Sequence, residues 1–178
     1  RLFCYYWDVA SEAGRPLLAM LLALARDPIL RLTADPVLSM EMGETFDKTV
    51  LQDVIAAETG ERFSETSIKK ISRMTGSSWT QSGHLEGRYN KTRQHPVCTA
   101  VNTAYALLLG YMTGVRGTLL FDTFWTHVLD ANDHDVHERA KAASRRSLLT
   151  YRNAGGVIEV DFSMTLTQDE QELTREQN

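Results

Sequence analysis

The residues in this chain best suited to binding chemistry are cations set among small polar side chains. Between Glu61 and His95 stand Arg62, Lys69, Lys70, Arg73, Arg88, Lys91 and Arg93, opposed only by Glu61, Glu65 and Glu86. Ser77, Ser78, Thr80, Gln81 and Asn90 are interleaved with them. Such side chains suit phosphate oxygens and base edges, and each phosphate neutralised steepens the salt dependence of binding. A second cluster, Arg139, Lys141, Arg145, Arg146 and Arg152, meets only Glu138 over its span. Two positive stretches in a chain of formal charge -4 call for a physical reason. The candidate contacts to nucleic acid are Lys69, Lys70 and Arg73 from a helix, and Arg88, Lys91 and Arg93 from the polar segment after it. Tyr89 is the aromatic placed to stack on a base. Arg145, Arg146 and Arg152 form a second, independent set.

Other chemistries find less to work with. His127, His134 and His137 lie among Asp130, Asp133 and Asp135. His134 and His137 are three apart and could share a helix face, which would suit a metal. The same segment reads as a helix start, where Asp is expected as a cap. There is no P-loop, no G-x-S-x-G and no glycine-rich dinucleotide fingerprint. The chain is read as non-enzymatic, without metal or cofactor. Its two cysteines, Cys4 and Cys98, are too few for a disulfide scaffold and form no zinc pattern. They read as buried thiols in a reduced, cytoplasmic protein. The chain opens at Arg1 without a methionine, so further residues are expected upstream.

The elements that must position these cations follow from periodicity and caps. Apolar residues make up 43% of the 178 residues, enough for a core. Pro16–Ala25 is a ten-residue apolar run, about half of what crosses a bilayer, and reads as a buried helix rather than a membrane span. Asp27-Pro28 and Asp35-Pro36 are helix starts, and Gly43 closes this N-terminal block. Val50, Val54, Ile55 and Ala57 predict a helix over about 48–58, stopped at Thr59-Gly60. Ser64 caps a second helix over about 64–82, with Ile68, Ile71, Met74 and Trp79 inward, Lys69, Lys70 and Arg73 outward, and Gly83 as the stop. The following 87–96 segment reads as a basic polar loop. Further helices are predicted over about 99–113, 118–130 and 134–146. Trp79 and Trp125 both sit among apolar residues and read as core. Leu148–Arg152 and Val157–Phe162 predict a hairpin about an Asn153-Ala154-Gly155-Gly156 turn, with Ile158, Val160 and Phe162 on the buried face.

The expected fold is therefore mainly α: a helical core carrying winged-helix-like units, each a helix-turn-helix followed by a basic loop or hairpin. The boundaries are a helical segment over 1–43, a first unit over 44–97, a second over 98–162 and an acidic tail over 163–178. A helix on a small core has the width to enter a major groove, and a basic loop beside it can grip phosphates. Double-stranded DNA is the favoured partner, and no membrane is expected. The rival readings are a helical protein–protein adaptor, suggested by the acidity and the apolar 99–129 region, and an RNA-binding protein or transcription regulator. A basic helix face is also what a plainly solvated helix displays.

The strings FSETSIKKISRM, SSWTQSGHLEGR, YALLLGYMTGVRGTLLFDTFW and ASRRSLLTYRNAGGVIEV resemble the small BrxA-type proteins of bacterial BREX phage-resistance systems. The resemblance spans roughly residues 45–162. It implies a small, mostly helical, non-enzymatic protein that binds nucleic acid. It also implies work beside a methyltransferase and other defence proteins.

Overall fold

The structure is a computed structural model describing residues 1–176. The helices are α1 (Leu2–Val9), α2 (Arg15–Arg26), α3 (Pro28–Leu32), α4 (Ala34–Leu38), α5 (Lys48–Thr59), α6 (Glu65–Gln81), α7 (Ala100–Met112), α8 (Phe124–His127), α9 (Asp133–Arg145) and α10 (Gln168–Glu176). Among the described residues the strands form two antiparallel hairpins, β1 (Leu85–Glu86) with β2 (Thr92–Arg93), and β3 (Thr150–Ala154) with β4 (Val157–Asp161). The protein is thus mainly α. It divides into two compact units: Ala19–Val97, and Arg1–Leu18 together with the chain from Cys98 onward.

In the 19–97 unit the helix starts are chemically fixed. The Asp27 carboxylate accepts from the Ile29 and Leu30 amides at 2.9 and 3.0 Å, with Pro28 at the first helical position. Asp47 does the same for the Thr49 amide at 2.8 Å, and these hydrogen bonds hold its carboxyl below the ordinary range. Ser64 accepts from the Ser67 amide and opens α6. Helix α5 ends where Gly60 turns to φ +55. Leu30, Val37, Leu51, Ile55, Trp79 and Leu85 are among the buried apolar residues of this unit.

The other unit is built on α7, whose start carries a reciprocal cap between Thr99 and Asn102. Asn102 also donates to the Gly14 carbonyl at 2.8 Å. Tyr6 of α1 is buried, donates to the Leu148 carbonyl at 3.1 Å, and lies 5.3 Å ring to ring from Tyr105. The helix expected over 118–130 is broken. Residues Gly117–Asp122 form a 3-10 helix, and α8 starts afresh because Thr123 and Thr126 cap one another. In the β3–β4 hairpin, Asn153 and Ala154 belong to the strand, so the turn is only Gly155-Gly156, both at positive φ. Val160 and Phe162 are buried and Ile158 half-buried, as the alternation requires.

The acidic stretch after Ser163 includes α10. Glu170 pairs with Arg1, and Arg116 donates to the Thr174 carbonyl at 3.0 Å. Gln177 and Asn178 lie outside the described residues. Among the described residues no helix is long and apolar enough to cross a membrane.

Candidate nucleic-acid interface

Helix α6 is held by its inner face. The Ser72 hydroxyl donates to the Lys48 carbonyl at 3.1 Å. Gly76 faces the Phe46 ring, where an added Cβ would sit at 3.5 Å. The fully buried Trp79 donates its indole N–H to the Thr33 hydroxyl at 2.8 Å. The opposite face is open: Thr66, Lys69, Lys70, Arg73, Met74, Ser77 and Gln81 are exposed. Met74 is therefore not a core residue. The buried stripe runs through Ser72, Thr75, Gly76 and Trp79, and Met74 lies off it, 59% exposed.

The outward cations are not equivalent. Lys69 is paired with Glu65 one turn before it, and that hydrogen bond and charge hold the Glu65 carboxyl below its ordinary range. Lys70 and Arg73 have no carboxylate partner among the described residues.

The segment read as a loop is a short hairpin. Leu85 pairs with Arg93 and Glu86 with Thr92, and Thr45 forms an antiparallel bridge to Thr92 on the other side. Backbone hydrogen bonds from Phe46 to Lys91 (2.8 Å) and from Arg93 to Glu44 (2.9 Å) extend that edge. The hairpin tip depends on Gly87. Its φ is +109, and a Cβ there would lie 2.3 Å from the Asn90 carbonyl oxygen. Lys91 is half-buried: its ammonium donates to the Thr80 hydroxyl on α6 and to the Gly87 carbonyl at 3.5 Å. Burial lowers its pKa. Lys91 therefore braces the tip against the helix instead of standing free.

Arg88, Tyr89 and Asn90 project from that tip, all exposed. The Arg88 guanidinium lies 5.3 Å from the centre of the Tyr89 ring, and Tyr89 is 85% exposed.

Arg93 is a correction. It is fully buried, sits opposite buried Leu85, and donates to the His84 carbonyl at 3.2 Å and to the Gln94 carbonyl. Strand β2 is flanked by β1 and the Thr45 edge, and the pleat turns this side chain inward. It cannot reach a phosphate from there.

The second cationic set is largely consumed within its own unit. Arg139 pairs with Asp135 at 3.5 Å and Lys141 with Glu138 at 2.6 Å. Arg152 faces Glu159 directly across the hairpin at 3.5 Å. Arg146 donates to the Val9 carbonyl at 3.1 Å. Arg145 is exposed and makes no direct ion pair with a carboxylate among the described residues, its charge acting on Glu138 only at longer range.

The His/Asp cluster disperses. His127 pairs with Asp122 at 3.0 Å, while His137 stacks on Phe121 at 4.0 Å and shares a hydrogen bond with the Tyr151 hydroxyl at 3.1 Å. Burial lowers the His137 pKa. No three His, Cys, Asp or Glu side chains gather as metal ligands among the described residues. Trp125 is half-exposed and helps line an open cavity of about 380 Å³ with Val115, Leu119 and Phe124. Cys4 is exposed, and burial pushes the Cys98 thiol up.

Sequence reasoning missed three features of the candidate face: the hairpin itself, the Thr80–Lys91 brace and the outward Met74. The Gly87 and Asn90 pair flanking a two-residue tip was the available signal for the first. No protein-family model, no curated protein and no solved structure matches this chain.

Proposed function

We propose that this protein binds duplex DNA through its 19–97 unit, a winged-helix-like fold with α6 as the reading helix and β1–β2 as the wing. The order supports the reading: an edge segment over 43–46, then α5, α6, β1 and β2, with the edge paired to the last strand. The observation that carries it is the set of Lys70 and Arg73 on the outer face of α6 with Arg88 on the braced tip next to that helix. A helix of this width fits the roughly 12 Å major groove of B-form DNA. The deep, narrow major groove of A-form RNA does not admit it.

The other unit follows a similar order, with residues 117–122 beside β4 followed by α8, α9 and the β3–β4 hairpin. Its cations already serve its own carboxylates and carbonyls, so it contributes little beyond Arg145. The likeness of residues 45–162 to BrxA-type proteins agrees with a DNA-binding accessory role in phage defence, alongside other defence proteins.

Gel-shift titration at two salt concentrations tests the reading. The protein is expected to shift duplex DNA at low salt, to release it as salt rises, and to lose it in Lys70→Glu with Arg73→Glu. No shift at low salt, an unaffected charge-reversal variant, or tighter binding to duplex RNA of the same sequence overturns it.

A further inference from the structure

The connection between α7 and α9 carries a cavity that duplex binding leaves unexplained. It is open to solvent, holds about 380 Å³, and is walled by Val115, Leu119, Phe124 and Trp125 with Asp122 beside them. That volume falls among those of sites that take a small group, roughly 300–1,000 Å³. The Phe124 and Trp125 rings stand 5.1 Å apart at 78°, so together they form a corner. Leu119 is 68% exposed, a large apolar side chain left in water. The corner is fixed from behind. The reciprocal cap between Thr123 and Thr126 starts α8, and Gly110 of α7 lets Thr123 approach so closely that an added Cβ would lie 3.2 Å from its methyl. Asp122 is the one charged side chain among the lining residues. It is 81% exposed and pairs with His127 at 3.0 Å, which leaves capacity, since a carboxylate takes about four hydrogen bonds. The neighbouring cation Arg116 is engaged elsewhere. Its guanidinium lies 3.6 Å from the centre of the Tyr111 ring and donates to the Tyr111 and Thr174 carbonyls.

We propose that this cavity is a docking site for one arginine side chain, presented by a basic segment of a partner protein. The chemistry of the walls selects that group. A guanidinium is planar and weakly hydrated, so it stacks on an aromatic face, and the Phe124–Trp125 corner offers two such rings. Its fork of N–H donors matches the Asp122 carboxylate. The methylene stem of the same side chain covers Leu119 and Val115. An anion would be repelled by Asp122, and a neutral apolar group would leave that carboxylate unanswered. A lysine ammonium carries the charge without the planar face. The site is built from residues of the unit that includes Cys98 onward, and it does not rest on the duplex-binding reading.

The test is an NMR titration of the full chain with the capped peptide acetyl-Gly-Ala-Arg-Ala-Gly-amide. The same peptide with lysine, citrulline or norleucine at its centre serves as comparison. The arginine peptide is expected to bind saturably, shifting the Trp125 indole N–H and the amides of residues 113–125. It should bind about tenfold more tightly than the uncharged citrulline and norleucine peptides, and more tightly than the lysine peptide. Asp122→Asn should weaken the arginine peptide about tenfold and leave the norleucine peptide unchanged. Phe124→Leu and Trp125→Leu should each weaken it about threefold, followed through the 113–125 amides. Thermal melts verify that these two variants fold, and Asp122→Asn alters an exposed side chain, so its result stands on its own. Lys70→Glu with Arg73→Glu should bind the peptide as the wild type does, which separates this site from the duplex reading. The inference is overturned if the citrulline or lysine peptide binds as tightly as the arginine peptide, or if Asp122→Asn changes nothing. It is equally overturned if the shifts fall outside residues 113–125, which marks diffuse attraction to an acidic protein, or if no saturable binding occurs.

Discussion

Arg73→Ala should lower the salt dependence of duplex binding by one cation's worth, and its size follows from which cations the fold leaves free. For B-form DNA each neutralised phosphate contributes a slope of about -0.9 in log K against log salt. Six cations between 69 and 93, read as a linear list, give a slope of about -5.4. The structure removes three of them: Lys69 is paired with Glu65, Lys91 is tied to Thr80, and Arg93 is buried. Lys70, Arg73 and Arg88 remain, giving about -2.7. Raising salt fourfold, from about 50 to about 200 mM, then weakens binding roughly 40-fold instead of roughly 1,800-fold. The assay is a series of fluorescence-anisotropy titrations at several salt concentrations. The slope should stand near -2.7 in the wild type and near -1.8 in Arg73→Ala. A wild-type slope near -5, or an Arg73→Ala slope equal to that of the wild type, refutes the assignment of free and consumed cations.

Three further outcomes are expected. Arg93→Ala leaves the His84 and Gln94 carbonyls without a charged donor, so chemical denaturation should show a loss of about 1–3 kcal/mol. Gly87→Ala places a Cβ against the Asn90 carbonyl at positive φ, and the same measurement should show about 1–3 kcal/mol lost. Burial pushes the Tyr105 hydroxyl up to about 12 from an ordinary 10. Its folded form holds a proton that the unfolded chain has released, so stability is fully present below pH 10 and falls as pH rises towards 12. Two pH units correspond to about 3 kcal/mol. Alkaline unfolding followed by circular dichroism should be shallower in Tyr105→Phe.

The parts of the fold that were legible in the sequence are those fixed locally. Asp47, Ser64 and Thr99 cap their helices through hydrogen bonds to amides two or three residues on, so the starts of α5, α6 and α7 are visible in short strings. Ile158, Val160 and Phe162 declare a strand by alternation. The 117–127 region was not legible, because Leu119, Leu120, Phe121, Phe124 and Trp125 are apolar enough to suggest one helix. The break comes from the Thr123–Thr126 cap, which competes successfully with continuation.

The candidate site was legible only as a list of charges. Whether a cation is free depends on the strand register that turns Arg93 inward and on the hydroxyl that happens to lie under Lys91. Both are fixed by pairing between segments that are distant in sequence: Glu44 and Thr45 meet Thr92 and Arg93, and Thr80 meets Lys91. Glu65, by contrast, lies one helical turn from Lys69, and that pairing was open to inspection. The same holds for Arg152 and Glu159, once the hairpin is in register.

The most direct test of duplex binding through the 19–97 unit is a backbone-amide NMR titration of the full chain with a short DNA duplex at low salt. Chemical-shift changes should gather at residues 66–81 and 87–91, with little change at 135–152. Changes centred on 135–152, or no changes at all at saturating duplex, contradict it.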